Sequence, residues 1–231
     1  MENINRKQIS EFYDEYSTQQ KKIGVNIRHR TIIKNLVKAG LDNSSNVLEI
    51  GCGIGTLTSL LVKKCGQLLA VDISPSSIEM AKKNLGKHHN LSFLVSDMSD
   101  FPATEKFDFI VLPDVLEHIP VEQHNNLFLQ ISKNLKPDGR VCIHIPDPYA
   151  LEWIRNNKPE LLQIIDQSLY TDIIIPSIYK NNLAIDKLVR YQLQATLPDY
   201  QWIELIHRPV YTNLDKKTYS NAALDEIKSR L

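Results

Sequence analysis

Apolar residues run through this chain in two alternating rhythms. Short continuous apolar blocks occur at Val47 to Ile50, Leu68 to Val71, Leu91 to Val95, Phe107 to Leu112 and Val141 to Ile145. Runs this short, flanked by turn residues, read as buried strands. Between them lie segments with helical spacing: Thr31 to Gly40, Thr56 to Cys65, Ser74 to Leu85 with Pro75 at a helix start, and Val121 to Leu135. Gly40 reads as a C-terminal cap. Strict alternation of strand and helix predicts a parallel sheet covered by helices on both faces. Lys136-Pro137-Asp138-Gly139 reads as the turn into the fifth strand.

The rhythm changes at both ends. Ile9, Phe12, Tyr13 and Tyr16 share a helical face, so residues 1–44 are expected to form a helical segment ahead of a core at 45–146. After Pro146-Asp147-Pro148 the chain is longer than a crossover helix needs. Residues 147–200 are expected to form a helical cap over the substrate side, with Leu183 to Leu193 read as helix and Ile173-Ile174-Ile175-Pro176 ambiguous. Residues 201–231 complete the core: Gln201 to His207 alternates as a strand, Tyr211 to Leu214 is its expected partner, and Asn221 to Leu231 is expected to be helical.

The strand ends carry the chemistry. The first runs through Glu49 into Gly51-Cys52-Gly53-Ile54-Gly55 and then a helix start, so the backbone can take positive φ and expose N–H groups to an anionic ligand. A dinucleotide fingerprint requires Gly-x-Gly-x-x-Gly, and here the third glycine comes one residue early. About 20 residues on, the second strand ends in Asp72, placed to accept from both hydroxyls of a ribose. The third strand delivers Ser96-Asp97-Met98, and the fourth delivers Pro113-Asp114-Val115-Leu116-Glu117-His118.

Taken together, these stretches and Leu135 to Gly139 resemble the class I S-adenosylmethionine-dependent methyltransferases over residues 45–146. The resemblance implies an α/β, Rossmann-like, doubly wound and mostly parallel seven-stranded sheet. It also implies S-adenosyl-L-methionine as cofactor. Carried over by position, Gly51, Gly53 and Gly55 hold the methionine part, Asp72 the ribose and Asp97 the adenine amine with Met98 beside the ring, and Glu49, Ile73 and Pro113 are further expected cofactor contacts.

Composition narrows the acceptor. Lysine plus arginine and aspartate plus glutamate number 27 each, so no global charge draws the chain to nucleic acid or an anionic membrane. No apolar run approaches a membrane span. Cys52, Cys65 and Cys142 lack Cys-x-x-Cys spacing and read as reduced thiols of a cytoplasmic protein, Cys52 as a loop-packing residue. A small-molecule acceptor is therefore expected, a sugar or secondary metabolite methylated at oxygen or nitrogen, with neither nucleic acid nor membrane as partner and a homodimer left open.

Transfer from a sulfonium needs a nucleophile held in line, plus a general base if that nucleophile is a hydroxyl. His118 and His144, at neighbouring strand ends, are the candidate bases, each weighed against a structural role. Tyr13, Tyr16, Arg28, His29, Asp114 and Asp147 are candidate acceptor contacts, while Arg30 reads as a solvated charge. His88, His89 and His124 read as surface residues and His207 as a strand end. Spacing provides no metal-ligand motif. Methylation of RNA or protein, a catalytically inactive cofactor-binding scaffold and, least favoured, a nicotinamide dehydrogenase are the rival readings.

Overall fold

A computed structural model describes residues 24–99, 101 and 105–211. Seven strands form one sheet: β1 (Asn46–Ile50), β2 (Gln67–Asp72), β3 (Leu91–Val95), β4 (Phe107–Pro113), β5 (Leu135–Pro146), β6 (Leu183–Tyr191) and β7 (Tyr200–His207). Their spatial order is β3-β2-β1-β4-β5-β7-β6. Strands β1 to β5 are parallel, and β7 runs antiparallel between β5 and β6. The helices are α1 (Ile27–Lys38), α2 (Thr58–Leu61), α3 (Pro75–Leu85), α4 (Val121–Asn134), α5 (Pro148–Asn157) and α6 (Thr171–Lys180).

Side-chain alternation explains why both sheet faces are covered. Along β4, Ile110 and Leu112 point into one apolar layer with Phe128 and Ile131 of α4 and Ile174 and Ile178 of α6. Phe109 and Val111 point into the other, with Ile32 and Leu36 of α1, Leu57 just before α2 and Leu61 of α2. A strand buried on both faces has no polar positions to spare, which is why the central strands read as continuous apolar runs.

Three elements differ from the sequence-based expectation. Leu183 to Leu193 was expected to be helical, but Leu183–Tyr191 is the edge strand β6, paired with β7 from Leu183↔His207 to Tyr191↔Tyr200. A bulge between Ile185 and Lys187 breaks its period of two, so the apolar positions imitate helical spacing. The partner of β7 at the sheet edge is thus β6; the proposed strand at Tyr211 to Leu214 and the helices at residues 9–16 and 221–231 lie outside the fully described residues. Lys136 to Gly139 is an excursion within β5: Leu135 pairs with Phe107 and Arg140 with Phe109, and Lys136 Nζ lies 2.8 Å from Asp108 Oδ2. Helices α5 and α6 follow β5, and Ile173 to Pro176 falls inside α6.

The glycine loop contains a packing constraint that local sequence does not reveal. Gly55 has φ +88°, and a Cβ there would lie 2.8 Å from Leu85 Cδ1 and 3.4 Å from Ala81 Cβ of α3. Its lack of a side chain lets α3 close on the loop. Gly55→Ala combines left-handed strain with this contact, so it is expected to cost about 1–3 kcal/mol, read as a lower denaturation midpoint at unchanged m-value. A midpoint equal to that of the native chain would refute the packing role.

Candidate active site

Strand order reverses between β1 and β4, and the crossovers leave from this point to opposite sides. In open α/β sheets that geometry leaves a crevice beyond the carboxyl ends of the strands. Here the crevice is a cavity of about 220 Å³, and its wall includes Glu49, Gly51, Gly53, Asp72, Ile73, Asp97, Met98, Pro113 and Asp114. Arg28 and His29 of α1 and His118 of the loop after β4 line it as well.

The loop's backbone is fixed from behind. Gly51 and Cys52 N–H both donate to Val71 O, at 2.8 and 2.9 Å, tying the loop to the end of β2. Asp72 Oδ2 accepts from Gly53 N–H at 2.7 Å and Oδ1 from Ser74 N–H at 2.9 Å, which orients the carboxylate at the cavity wall. Ser74 caps α3, its hydroxyl accepting from Ser77 N–H at 3.0 Å. Gly51 has φ +75°, and a Cβ there would sit 2.2 Å from Val115 Cγ2. The main chain can therefore approach the opposite wall only because position 51 is glycine.

Glu49 lies beneath the loop and is fully buried. Its Oε2 accepts from the Thr58 hydroxyl at 2.7 Å, while Oε1 is buried with no hydrogen-bond partner among the described residues. Burial raises its pKa to about 7, against the opposing Thr58 bond. A buried carboxyl oxygen at a cavity wall suits an N–H donor such as an α-amino group. With the glycine cradle and the carboxylates of Asp72 and Asp97, this donor and acceptor set fits the amino-acid, ribose and adenine parts of S-adenosylmethionine.

Two non-glycine residues at the strand ends take left-handed backbone: Met98 with φ 61° and Asp114 with φ 56°. Such strain costs on the order of 1 kcal/mol and concentrates at functional sites. Both residues line the cavity. Asp114 is bound from two sides, by His144 Nδ1 at 2.5 Å from Oδ1 and by Arg28 Nε at 3.2 Å from Oδ2. Burial opposes its ionisation, yet His144 and Arg28 outweigh burial and hold its pKa below the ordinary value.

His118 is anchored by the chain between α5 and α6. Its Nδ1 donates to Ile165 O at 2.5 Å and lies 3.2 Å from Asp166 Oδ1. Gln167 binds the same loop, its N–H and Nε2 reaching Glu117 O at 3.0 and 3.2 Å. Burial alone would lower the His118 pKa, but Glu117 and Asp166 raise it to about 9. Burial raises the Glu117 carboxyl to about 8. His29 moves the other way, to about 4, through burial and the neighbouring Arg28.

Several expected site residues lie elsewhere. His144 has no exposed surface and stands behind Asp114, away from the cavity wall. Asp147 caps α5, accepting from Tyr149 N–H at 3.2 Å, and its carboxylate lies 2.6 Å from Arg190 Nε, so it is committed to structure away from the cavity. Gly55 packs against α3 and is absent from the wall. Tyr13 and Tyr16 lie outside the described residues. His124, read as a surface residue, is fully buried, with Nε2 2.8 Å from Ile119 O. Gln123 and Gln163 line the cavity and were missed, since isolated glutamines carry no motif. Among the described residues, no group of three His, Cys, Asp or Glu side chains is arranged to hold a metal, and no helix is long and apolar enough to cross a membrane.

Comparison with known proteins agrees with this geometry. Residues 47–139 match the family model described as a methyltransferase domain. Nodulation protein S of Bradyrhizobium diazoefficiens is 36% identical over 84 residues, 36% of this chain and 40% of that protein. Phosphoethanolamine N-methyltransferase of Plasmodium falciparum is 26% identical over 189 residues, covering 76% and 66% of the two chains. The chain thus spans less than half the length of the nodulation protein. Among solved structures, the N-methyltransferase NodS from Bradyrhizobium japonicum WM9 aligns with TM-score 0.61 and 23% identity over 79% of this chain and 95% of its own. Magnesium protoporphyrin IX methyltransferase from Synechocystis PCC 6803 aligns with TM-score 0.66 and 15% identity over 87% and 99%.

The His118 anchor has a pH signature. Its folded pKa, about 9, lies above the unfolded value near 6.5, so its contribution to stability is complete below about pH 6.5 and lost as pH rises through 9. Glu117, raised to about 8, has the same sign, with its loss starting above its ordinary value. The melting temperature is expected to fall between pH 6.5 and 9, and to fall less steeply in His118→Gln. Parallel pH profiles for the two proteins would refute a protonated anchor.

Proposed function

Since the core of this chain belongs to the class I S-adenosylmethionine-dependent methyltransferases, we propose that the protein transfers a methyl group from S-adenosyl-L-methionine to nitrogen or oxygen of a small molecule. The cavity at the β1/β4 reversal carries this reading, because one wall joins a glycine cradle, a buried carboxyl and two strand-end acids. The cofactor would supply an electrophilic methyl group on a sulfonium. The chain's own residues bind, orient and exclude water.

Gly51 and Gly53 give the amino-acid end access to the main chain, and Glu49 Oε1 supplies an acceptor for its amine. Asp72, oriented by Gly53 and Ser74, is assigned to the ribose, and Asp97 to the adenine amine beside Ile73 and Met98. The acceptor enters by Arg28, His29, Asp114 and His118. Raised to about 9, His118 is a cation at neutral pH and has no lone pair with which to take a proton. His29, lowered to about 4, is a weak base. Neither described cavity histidine is poised near pH 7, which favours an acceptor that brings its own lone pair, an amine, over a hydroxyl needing deprotonation. Sugars and secondary metabolites bearing amino groups are the favoured class. The three buried free cysteines suit a reducing compartment such as the cytoplasm.

The assignment is tested by calorimetry with S-adenosylmethionine. Asp72→Ala should weaken binding about tenfold to a hundredfold, the loss of about 1.5–3 kcal/mol of charge-assisted bonding. Asp97→Asn, which keeps an acceptor, should bind more tightly than Asp97→Ala. Native affinity in a folded Asp72→Ala protein would remove the ribose assignment, and equal affinities of the two position 97 variants the adenine assignment. For the acceptor, methyl-labelled cofactor is incubated with a panel of amino sugars, simple amines and their hydroxyl counterparts. Label should pass to amines in preference to alcohols; transfer to alcohols alone would reject the nitrogen reading.

A further inference from the structure

Behind the cavity wall, Asp114 is the visible end of a buried polar chain. His144 on β5 has no exposed surface, and both its ring nitrogens are engaged: Nδ1 with Asp114 Oδ1 at 2.5 Å and Nε2 with the Tyr191 hydroxyl of β6 at 2.6 Å. Its ring stacks on Tyr200 of β7, with centroids 4.6 Å apart and planes 19° from parallel. The main chains are joined too, since Asp114 N–H donates to His144 O at 2.8 Å. A buried imidazole, a tyrosine hydroxyl and an aromatic platform thus converge on one carboxylate, which itself sits in a strained backbone conformation.

The partners assign the protons. Asp114 is ionised, so Nδ1–H donates to it and Nε2 is left to accept from Tyr191 O–H. Burial pushes the Tyr191 phenol well above its ordinary range and Tyr200 to about 12, so both keep their protons. The titratable groups around Asp114 come from several packed elements: Arg28 and His29 of α1, His144 of β5, Tyr191 and Tyr200 of the hairpin, and Glu117 and His118 of its own loop. Arg28 interacts with Tyr200 as well as with Asp114, so one carboxylate oxygen is held by the His144 hydrogen bond and the other by an ion pair.

We propose that His144 and Tyr191 are positioning residues of the methyl-transfer site, acting through Asp114 to present a fixed hydrogen-bond acceptor to an N–H or O–H of the methyl acceptor. This rests on the methyltransferase reading. The chain never reaches the cavity except at Asp114, the only one of these three residues in its wall. With the carboxylate fixed, the acceptor's polar hydrogen has one direction in which to point, and its lone pair is set by the same contact. The hairpin β6–β7 thereby acquires a part in the reaction beyond closing the sheet.

The test uses the full chain saturated with S-adenosylhomocysteine and labelled with carboxyl ¹³C aspartate, Asp114→Asn assigning the signal. In His144→Leu the Asp114 titration midpoint should rise by about one pH unit, a tenfold change in proton affinity. His144→Asn, whose amide keeps a donor near the Nδ1 position, should recover most of that shift. Long-range ¹H–¹⁵N spectra should show the Nδ1–H tautomer of His144 in the native chain, and its Nε2 resonance should move in Tyr191→Phe as the hydroxyl bond to it is lost. With whichever panel compound is methylated, His144→Leu should raise the acceptor KM about tenfold while S-adenosylhomocysteine affinity stays within about twofold. An unmoved Asp114 midpoint, an unmoved Nε2 resonance in Tyr191→Phe or an unmoved acceptor KM would each overturn the proposal. Should His144→Leu not fold, Tyr191→Phe decides by the Nε2 resonance and KM. Failure of the native chain to bind S-adenosylhomocysteine would strike instead at the methyltransferase reading.

Discussion

Winding outward from β1 in one direction and from β4 in the other, the sheet leaves two neighbouring strand ends whose following loops diverge. The crossovers that follow Ile50 and Pro113 leave to opposite sides, so the crevice exists before any side chain is chosen. Every other feature of the site adapts to it. The glycine loop folds over one lip, fixed by the N–H groups of Gly51 and Cys52 on Val71 O. The opposite lip is the turn through Asp114 and Val115, which approaches Gly51 so closely that only glycine fits there.

Placing ionisable groups in such a crevice is costly, and the structure meets the cost by pairing. Asp114 is ionised because His144 and Arg28 outweigh burial. His118 is protonated because Glu117 and Asp166 do the same in the opposite sense. Glu49, with one oxygen bonded and one not, is the exception among these groups. A pocket whose charges are mostly compensated from behind can present polar edges to a ligand without reorganising when the ligand binds.

Some of the groups that compensate these charges come from late in the chain. Asp166 lies between α5 and α6, and Tyr191 and Tyr200 on the last hairpin, all beyond the stretch that matches the methyltransferase family model. The stretch that matches the family model supplies the crevice and its glycine loop, while Arg28 before it and Asp166, Tyr191 and Tyr200 after it add to the electrostatics around Asp114 and His118. Fold alone does not determine the acceptor.

The alternation of apolar runs, the early third glycine and the acids at successive strand ends made the five parallel strands and part of the cavity wall legible in the sequence. Each depends on neighbours within a few residues, or on a periodicity that local sterics impose. Contacts between distant segments were not legible. The bulge in β6 disguised a strand as a helix, because register against β7 is settled by pairing across the hairpin. Gly55 passed for a ligand-binding glycine until Leu85 was seen against it, and Asp147 for an acceptor contact until Arg190, 43 residues away, proved to hold it. His144 shows the division most clearly. Its place at a strand end follows from the sequence, but whether its nitrogens face a substrate or other side chains depends on Asp114 and Tyr191, 30 and 47 residues away, which only the folded sheet brings together.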